Sequence, residues 1–175
     1  MIHPLTRLRD EMRDIQQNPN FNIPVCVGLP ELNNLFNWRV SISGPADTPY
    51  AGGLFYLTLR FPENYPNSAP KVIFDTPIYH VNVRSFREET RLIGEPDLEI
   101  LIFWKPEYKV KDILISIYSL FYMNKVNSSF SANVAEELRF NKTLYEEKAR
   151  YFTRKFAEPD LGYKTYSNWD FNYQH

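Results

Sequence analysis

Residues 61–72 read Phe-Pro-Glu-Asn-Tyr-Pro-Asn-Ser-Ala-Pro-Lys-Val, with prolines at 62, 66 and 70. Each proline fixes its own φ, removes a backbone donor and pushes the preceding residue toward extended conformations. No helix and no paired strand can run through such a stretch, so it must be a rigid surface loop between regular elements. Upstream, Phe36, Trp38, Val40 and Ile42 alternate with Asn37, Arg39 and Ser41 until Gly44-Pro45. After Gly52-Gly53 the alternation returns, with Phe55, Leu57, Leu59 and Phe61 on one side and Tyr56, Thr58 and Arg60 on the other. A period of two with one apolar face predicts strands, and the short connection predicts an antiparallel meander. A third strand is expected at Lys71–Phe74, on the far side of the loop.

The flanks change period. Leu5, Leu8, Met12 and Ile15 step by three and four with Arg7, Asp10, Glu11 and Asp14 between them, which predicts an amphipathic helix stopped by Asn18-Pro19-Asn20. From Val110 a stripe of Val110, Ile113, Leu114, Ile117 and Phe121 predicts a second helix, ended by residues 124–131. A short helix is expected over residues 134–138. Another follows from Lys142, where Tyr145, Ala149, Phe152 and Phe156 recur at helical spacing. Residues 84–91 mix charges around Phe86 without a period and read as an exposed excursion. The expected organisation is one domain over residues 1–157 and a tail over 158–175. The tail carries Tyr163, Tyr166, Trp169, Phe171 and Tyr173, more aromatic surface than a solvated segment normally exposes. It is expected to pack either on its own domain or on a partner.

Composition narrows the function. With 20 basic and 21 acidic residues the net charge is −1, and no global field draws in nucleic acid. Cys26 is the only cysteine, so no internal disulfide can form and cysteine-based zinc or iron-sulfur sites lack ligands. A small apolar, buried role before the first strand is expected for it. No cofactor or metal is expected. The N-terminal residues pass at once into a charged segment and no apolar run reaches membrane-spanning length, so the expectation is a soluble intracellular protein of cytoplasm or nucleus, with an organelle left open.

Several local words then agree with one family. Ser43-Gly44-Pro45 with Thr48-Pro49-Tyr50-Ala51-Gly52-Gly53-Leu54-Phe55, the proline-rich loop ending Ala69-Pro70-Lys71-Val72, Tyr79-His80-Val81-Asn82, and Trp104-Lys105-Pro106 occur in the order found in ubiquitin-conjugating enzymes. Over residues 3–157 the chain resembles that family. The resemblance implies an α+β fold: an N-terminal helix, a four-stranded antiparallel meander, then C-terminal helices. It also implies a cysteine that opens a C-L-D-I-L word and carries ubiquitin as a thioester. Here the word is Asp97-Leu98-Glu99-Ile100-Leu101, and a register one residue earlier would place Pro96 at the nucleophile. Neither can do the chemistry, because acyl transfer between sulfurs needs a low-pKa thiol, and a carboxylate would give at best a mixed anhydride that water destroys.

Other positions depart as well. Asn82 keeps the amide that the family is held to use for the oxyanion, but an insertion separates it from Asp97, and a loop-fixing role is the expectation for it. The acidic group that helps deprotonate an incoming lysine becomes Ser128. At the family's ligase-docking surface, beside Trp104, this chain has Asn67 and Glu107, and burying Glu107 without a cation would cost several kcal/mol. The degenerate set His80, Asn82, Asp97 and Ser128 therefore implies no enzyme. The expected function is a non-catalytic interaction module, a scaffold or accessory subunit of a protein complex. The partners it implies are an active ubiquitin-conjugating enzyme, ubiquitin, or the subunits of a larger assembly. Candidate partner-binding residues are Asn67, Trp104, Glu107 and the tail aromatics. A cofactor of an active conjugating enzyme, like the inactive UEV relatives, is the alternative. Residual hydrolytic or metal chemistry at Asp97 with His80 is a weaker one, resting on two residues only.

Overall fold

The computed structural model describes residues 3–17, 23–31, 34–84, 94–123, 126 and 132–159. Helix α1 (Pro4–Gln17) leads into four strands, β1 (Val25–Gly28), β2 (Asn37–Ser43), β3 (Leu54–Arg60) and β4 (Lys71–Phe74). Four helices follow: the one-turn α2 (Glu99–Ile102), then α3 (Val110–Leu120), α4 (Ala132–Phe140) and α5 (Lys142–Phe156). The strands form one antiparallel sheet in the order β1-β2-β3-β4, a meander as expected.

The register sets Trp38 opposite Leu59, Val40 opposite Leu57 and Ile42 opposite Phe55, so the two apolar alternations stack on one face. That face is buried together with Leu8, Met12 and Ile15 of α1 and with Val110, Ile113, Leu114 and Ile117 of α3. Full burial of such a side chain is worth about 1.5–3 kcal/mol, and this single cluster is the main source of stability. The β2–β3 turn needs glycine twice. Gly52 has φ +76°, and a Cβ on Gly44 would lie 1.9 Å from the Tyr50 carbonyl oxygen.

Three features differ from the sequence reading. Cys26 lies within β1, not before the first strand, and its side chain is exposed. Val-Cys-Val-Gly is four residues long and flanked by Pro24 and Pro30, too short a run to announce a strand. Helix α2 went unseen because a single turn has no period. Glu11, assigned to the polar face of α1, is 5% exposed. It sits three residues after Leu8 and four before Ile15, which is core spacing, and its partners are described below.

Among the described residues no helix is long and apolar enough to cross a membrane.

Candidate functional site

The segment after β4 is built by hydrogen bonds rather than by regular structure. Asn82 N–H donates to His80 Nδ1 at 3.0 Å, and His80 Nε2 lies 2.9 Å from the carbonyl oxygen of Leu120 at the end of α3. A backbone N–H can only donate, so Nδ1 is the acceptor and Nε2 carries the proton. The imidazole is 2% exposed, and burial pushes its pKa down to about 4 against the upward pull of the Leu120 carbonyl. It is therefore neutral near pH 7 with both nitrogens occupied, which is the state of a structural histidine and not of a general base.

A chain of phenols holds the same segment from the other side. Tyr50 O–H donates to the Tyr79 carbonyl at 2.9 Å and Val81 N–H donates to the Tyr145 hydroxyl at 3.3 Å. The two hydroxyls are 3.3 Å apart, and since the Tyr50 proton is already placed, Tyr145 of α5 donates to Tyr50. Tyr79 O–H donates to Glu137 of α4 at 2.7 Å, and Lys148 of α5 pairs with the same carboxylate. Burial, first of all, and the neighbouring Glu137 raise the Tyr79 pKa, so the phenol stays protonated. The loop from 79 to 82 is thereby clamped between α3, α4 and α5.

Asn82 has no exposed surface, and its carbonyl accepts from Asp97 N–H at 2.8 Å. Val83 pairs with Pro96, and Phe74 of β4 pairs with Gly94, so residues 94–97 run alongside β4 and the loop after it. Pro96 and Leu98 are buried, Asp97 is half-buried and Glu99 is exposed. Leu98 belongs to the main core, and Ile100 and Leu101 pack against it. The apolar letters of the Asp97-Leu98-Glu99-Ile100-Leu101 word thus all point inward, leaving the Asp97 carboxyl at the rim between the 79–82 loop and α2.

The loops after β3 and α2 meet beside α1. Trp104 Nε1–H donates to the Pro66 carbonyl at 2.7 Å, and its ring lies 5.9 Å from the rings of Tyr65 and Tyr108. Behind them, Glu11 accepts from Tyr65 O–H at 3.0 Å, from Val110 N–H at 2.6 Å and from the Arg7 guanidinium. Arg7 also donates to the Tyr108 carbonyl at 3.1 Å. Burial together with the Glu11 carboxylate raises the Tyr65 pKa far above its ordinary value. With Asp112, whose carboxylate accepts from Lys109 N–H at 2.9 Å, Glu11 satisfies the first donors of α3. This network fixes a surface on which Asn67 and Glu107 are both exposed, while Trp104 is half-buried with its N–H engaged internally. The next turn adds an apolar projection that the sequence reading missed: Ile102 is 62% and Phe103 69% exposed.

Structure thus brings His80, Asn82 and Asp97 together and sets Asn67, Trp104 and Glu107 on a second surface. Ser128, most of the 84–91 excursion and the tail residues Tyr163, Tyr166, Trp169, Phe171 and Tyr173 lie outside the described residues. Cys26 is on edge strand β1, while Gly94 pairs with the opposite edge strand β4. Three strand spacings, about 14 Å, separate those edges, so Cys26 cannot serve the Asp97 rim. No group of three or more His, Cys, Asp or Glu that could hold a metal occurs among the described residues.

Residues 7–153 match the family model of the ubiquitin-conjugating enzyme. Among solved structures, the chain is similar to a Toxoplasma gondii ubiquitin conjugating enzyme E2 domain, with 32% identity and a TM-score of 0.75 over 87% of this chain and 98% of that one. It is also similar to a protein from Plasmodium yoelii described as a ubiquitin conjugating enzyme, with 30% identity and a TM-score of 0.76 over 91% of this chain and 98% of that one.

Proposed function

Because the chain belongs to the ubiquitin-conjugating enzyme family, we propose that it keeps the family's fold without its chemistry and works as a scaffold or accessory subunit of a protein complex. The observation that carries this reading is Asp97, the half-buried first residue of the word that opens with the nucleophilic cysteine in the family. A carboxylate there cannot hold ubiquitin as a thioester, and the chain's one thiol is on the far edge of the sheet. The His80 imidazole is buried, neutral and hydrogen-bonded at both nitrogens, so it is not free to act as a partner base for Asp97.

The surfaces support a binding role. Glu107 and Asn67 replace the small and apolar groups with which the family meets its ligases, while Ile102 and Phe103 add exposed apolar area next to them. An exposed aromatic beside a charged rim is the composition of an interface, and the partner it selects differs from an ordinary ligase. The tail aromatics Tyr163, Tyr166, Trp169, Phe171 and Tyr173 are a second partner-facing set in this reading.

The test is to incubate the purified full chain with ubiquitin, activating enzyme and ATP. No conjugate sensitive to reducing agent is expected, and one that appears in the wild type and disappears in Cys26→Ser overturns the proposal. Native purification with identification of co-eluting chains then separates a multi-subunit assembly from a pair with one active conjugating enzyme.

A further inference from the structure

Two exposed patches on different helices carry apolar groups in surroundings of opposite charge. The first is α2. Glu99, Ile102 and Phe103 stand at i, i+3 and i+4, so they share one side of its single turn, which the Phe103 N–H closes on the Glu99 carbonyl at 2.9 Å. All three are exposed. Glu107 is exposed and Asp97 half-buried in the same segment, against one exposed cation, Lys105. An aliphatic and an aromatic side chain thus project from an acidic rim.

The second patch is the last two turns of α5. Tyr151 is exposed there, with Arg154 and Lys155 three and four residues after it and Glu147 four before it, all exposed. Lys155 Nζ lies 5.5 Å from the centre of the Tyr151 ring and 5.1 Å from that of Phe156, so cation and rings form one surface. Phe156 is exposed as well, and α5 as a whole carries five cations against two anions. Aromatic rings here lie in a basic rim.

Each patch supplies what the other needs. Apolar and aromatic groups at the centre with opposite charges around them are what an interface joins, the rings supplying burial and the charges fixing the choice of partner. Within one chain the two do not meet, since both are exposed, α2 packs on α3, and α5 packs on α4. Between two copies they can.

We infer that a second copy of this chain docks here: Ile102 and Phe103 of one copy lie on Tyr151 and Phe156 of the next, with Glu99 and Glu107 toward Arg154 and Lys155. The inference rests on the reading of the Ile102–Phe103 surface as an interface, and not on the loss of catalysis at Asp97. The contact is heterologous, because two different surfaces meet, so a pair of copies still offers one patch of each kind to a third.

Analytical ultracentrifugation of the full chain tests this. Wild type should associate as its concentration rises from micromolar to millimolar, and less so in about 1 M salt, where the screening length falls to about 3 Å. Phe103→Ser and Tyr151→Ser should each weaken self-association about tenfold or more while circular dichroism shows them folded. An equimolar mixture of the two should regain a one-to-one dimer, because one variant keeps the α5 patch and the other keeps the α2 patch. A wild type that stays monomeric, association that ignores either substitution or salt, or a mixture that fails to pair overturns the inference. Each of these leaves the thioester assay to judge the loss of chemistry on its own, and a conjugate found there leaves this contact standing.

Discussion

Asn82 and His80 are joined through one hydrogen bond of 3.0 Å from the Asn82 backbone N–H to the His80 ring Nδ1, and that bond decides the tautomer of the imidazole and hence its partnership with Leu120 across the core. Through these two bonds the residues brace the loop after β4 against the end of α3.

The brace makes stability depend on pH with a definite sign. Well above pH 6.5 His80 is neutral whether the chain is folded or not, and its contribution is constant. Between 6.5 and about 4 the unfolded chain takes a proton that the folded chain refuses, so stability is lost as the pH falls through that window. By pH 4 the loss amounts to roughly 3 kcal/mol. Urea titrations at pH 7 and pH 4.5 should show this loss in the wild type and a shallower one in His80→Gln.

Glu11 is the second buried polar group whose removal should be costly. Glu11→Ala leaves Tyr65 O–H, Val110 N–H and the Arg7 guanidinium without their shared acceptor. A loss of about 3–5 kcal/mol is expected from breaking such a network. Glu11→Gln keeps one acceptor oxygen and should lose less. Denaturant unfolding of the two variants checks the order.

At the phenol chain, Tyr145→Phe deletes the acceptor of Val81 N–H and the donor to Tyr50 while preserving the ring. The expected loss is about 1–3 kcal/mol, the desolvation penalty of a buried donor left unpaired. Thermal melts of this variant and of Tyr151→Phe, whose ring is half exposed, should separate: the second should lie within about 0.5 kcal/mol of wild type.

Cys26 should react stoichiometrically with a thiol-specific reagent in the native protein, without denaturant, because its side chain is exposed on an edge strand. Cys26→Ser should change stability by less than about 0.5 kcal/mol, measured by the same unfolding curves.

What could be read from the letters follows from how each element earns its burial. β2 and β3 are half-buried ribbons, and a period of two is the direct image of that environment in Trp38, Val40, Ile42, Phe55, Leu57 and Leu59. α1 and α3 likewise print their buried stripes, whereas in α5 only Tyr145 and Ala149 of the expected stripe are buried, Thr153 takes the next place and Phe156 is exposed. β1 does not, because it is short and its residues are only partly covered; the preference of free cysteine for interiors then misplaced Cys26. Glu11 was hidden by its charge: a carboxylate at core spacing is legible as buried only when Tyr65 and the start of α3, more than fifty residues away, are known to converge on it. The Asp97 word was legible through its leucines, since Leu98 and Leu101 set the phase. The exposed pair Ile102 and Phe103 was not, because a hydrophobic dipeptide beside a core helix reads as core.

The bond from Leu54 N–H to the Ala157 carbonyl also has a mechanical meaning. Tension applied at the C-terminus meets the sheet at the first residue of β3, before it reaches the helical hydrogen bonds of α5. A pull exerted beyond Ala157 therefore loads a central strand held on both sides by antiparallel neighbours, and α5 is shielded from being unwound from its end.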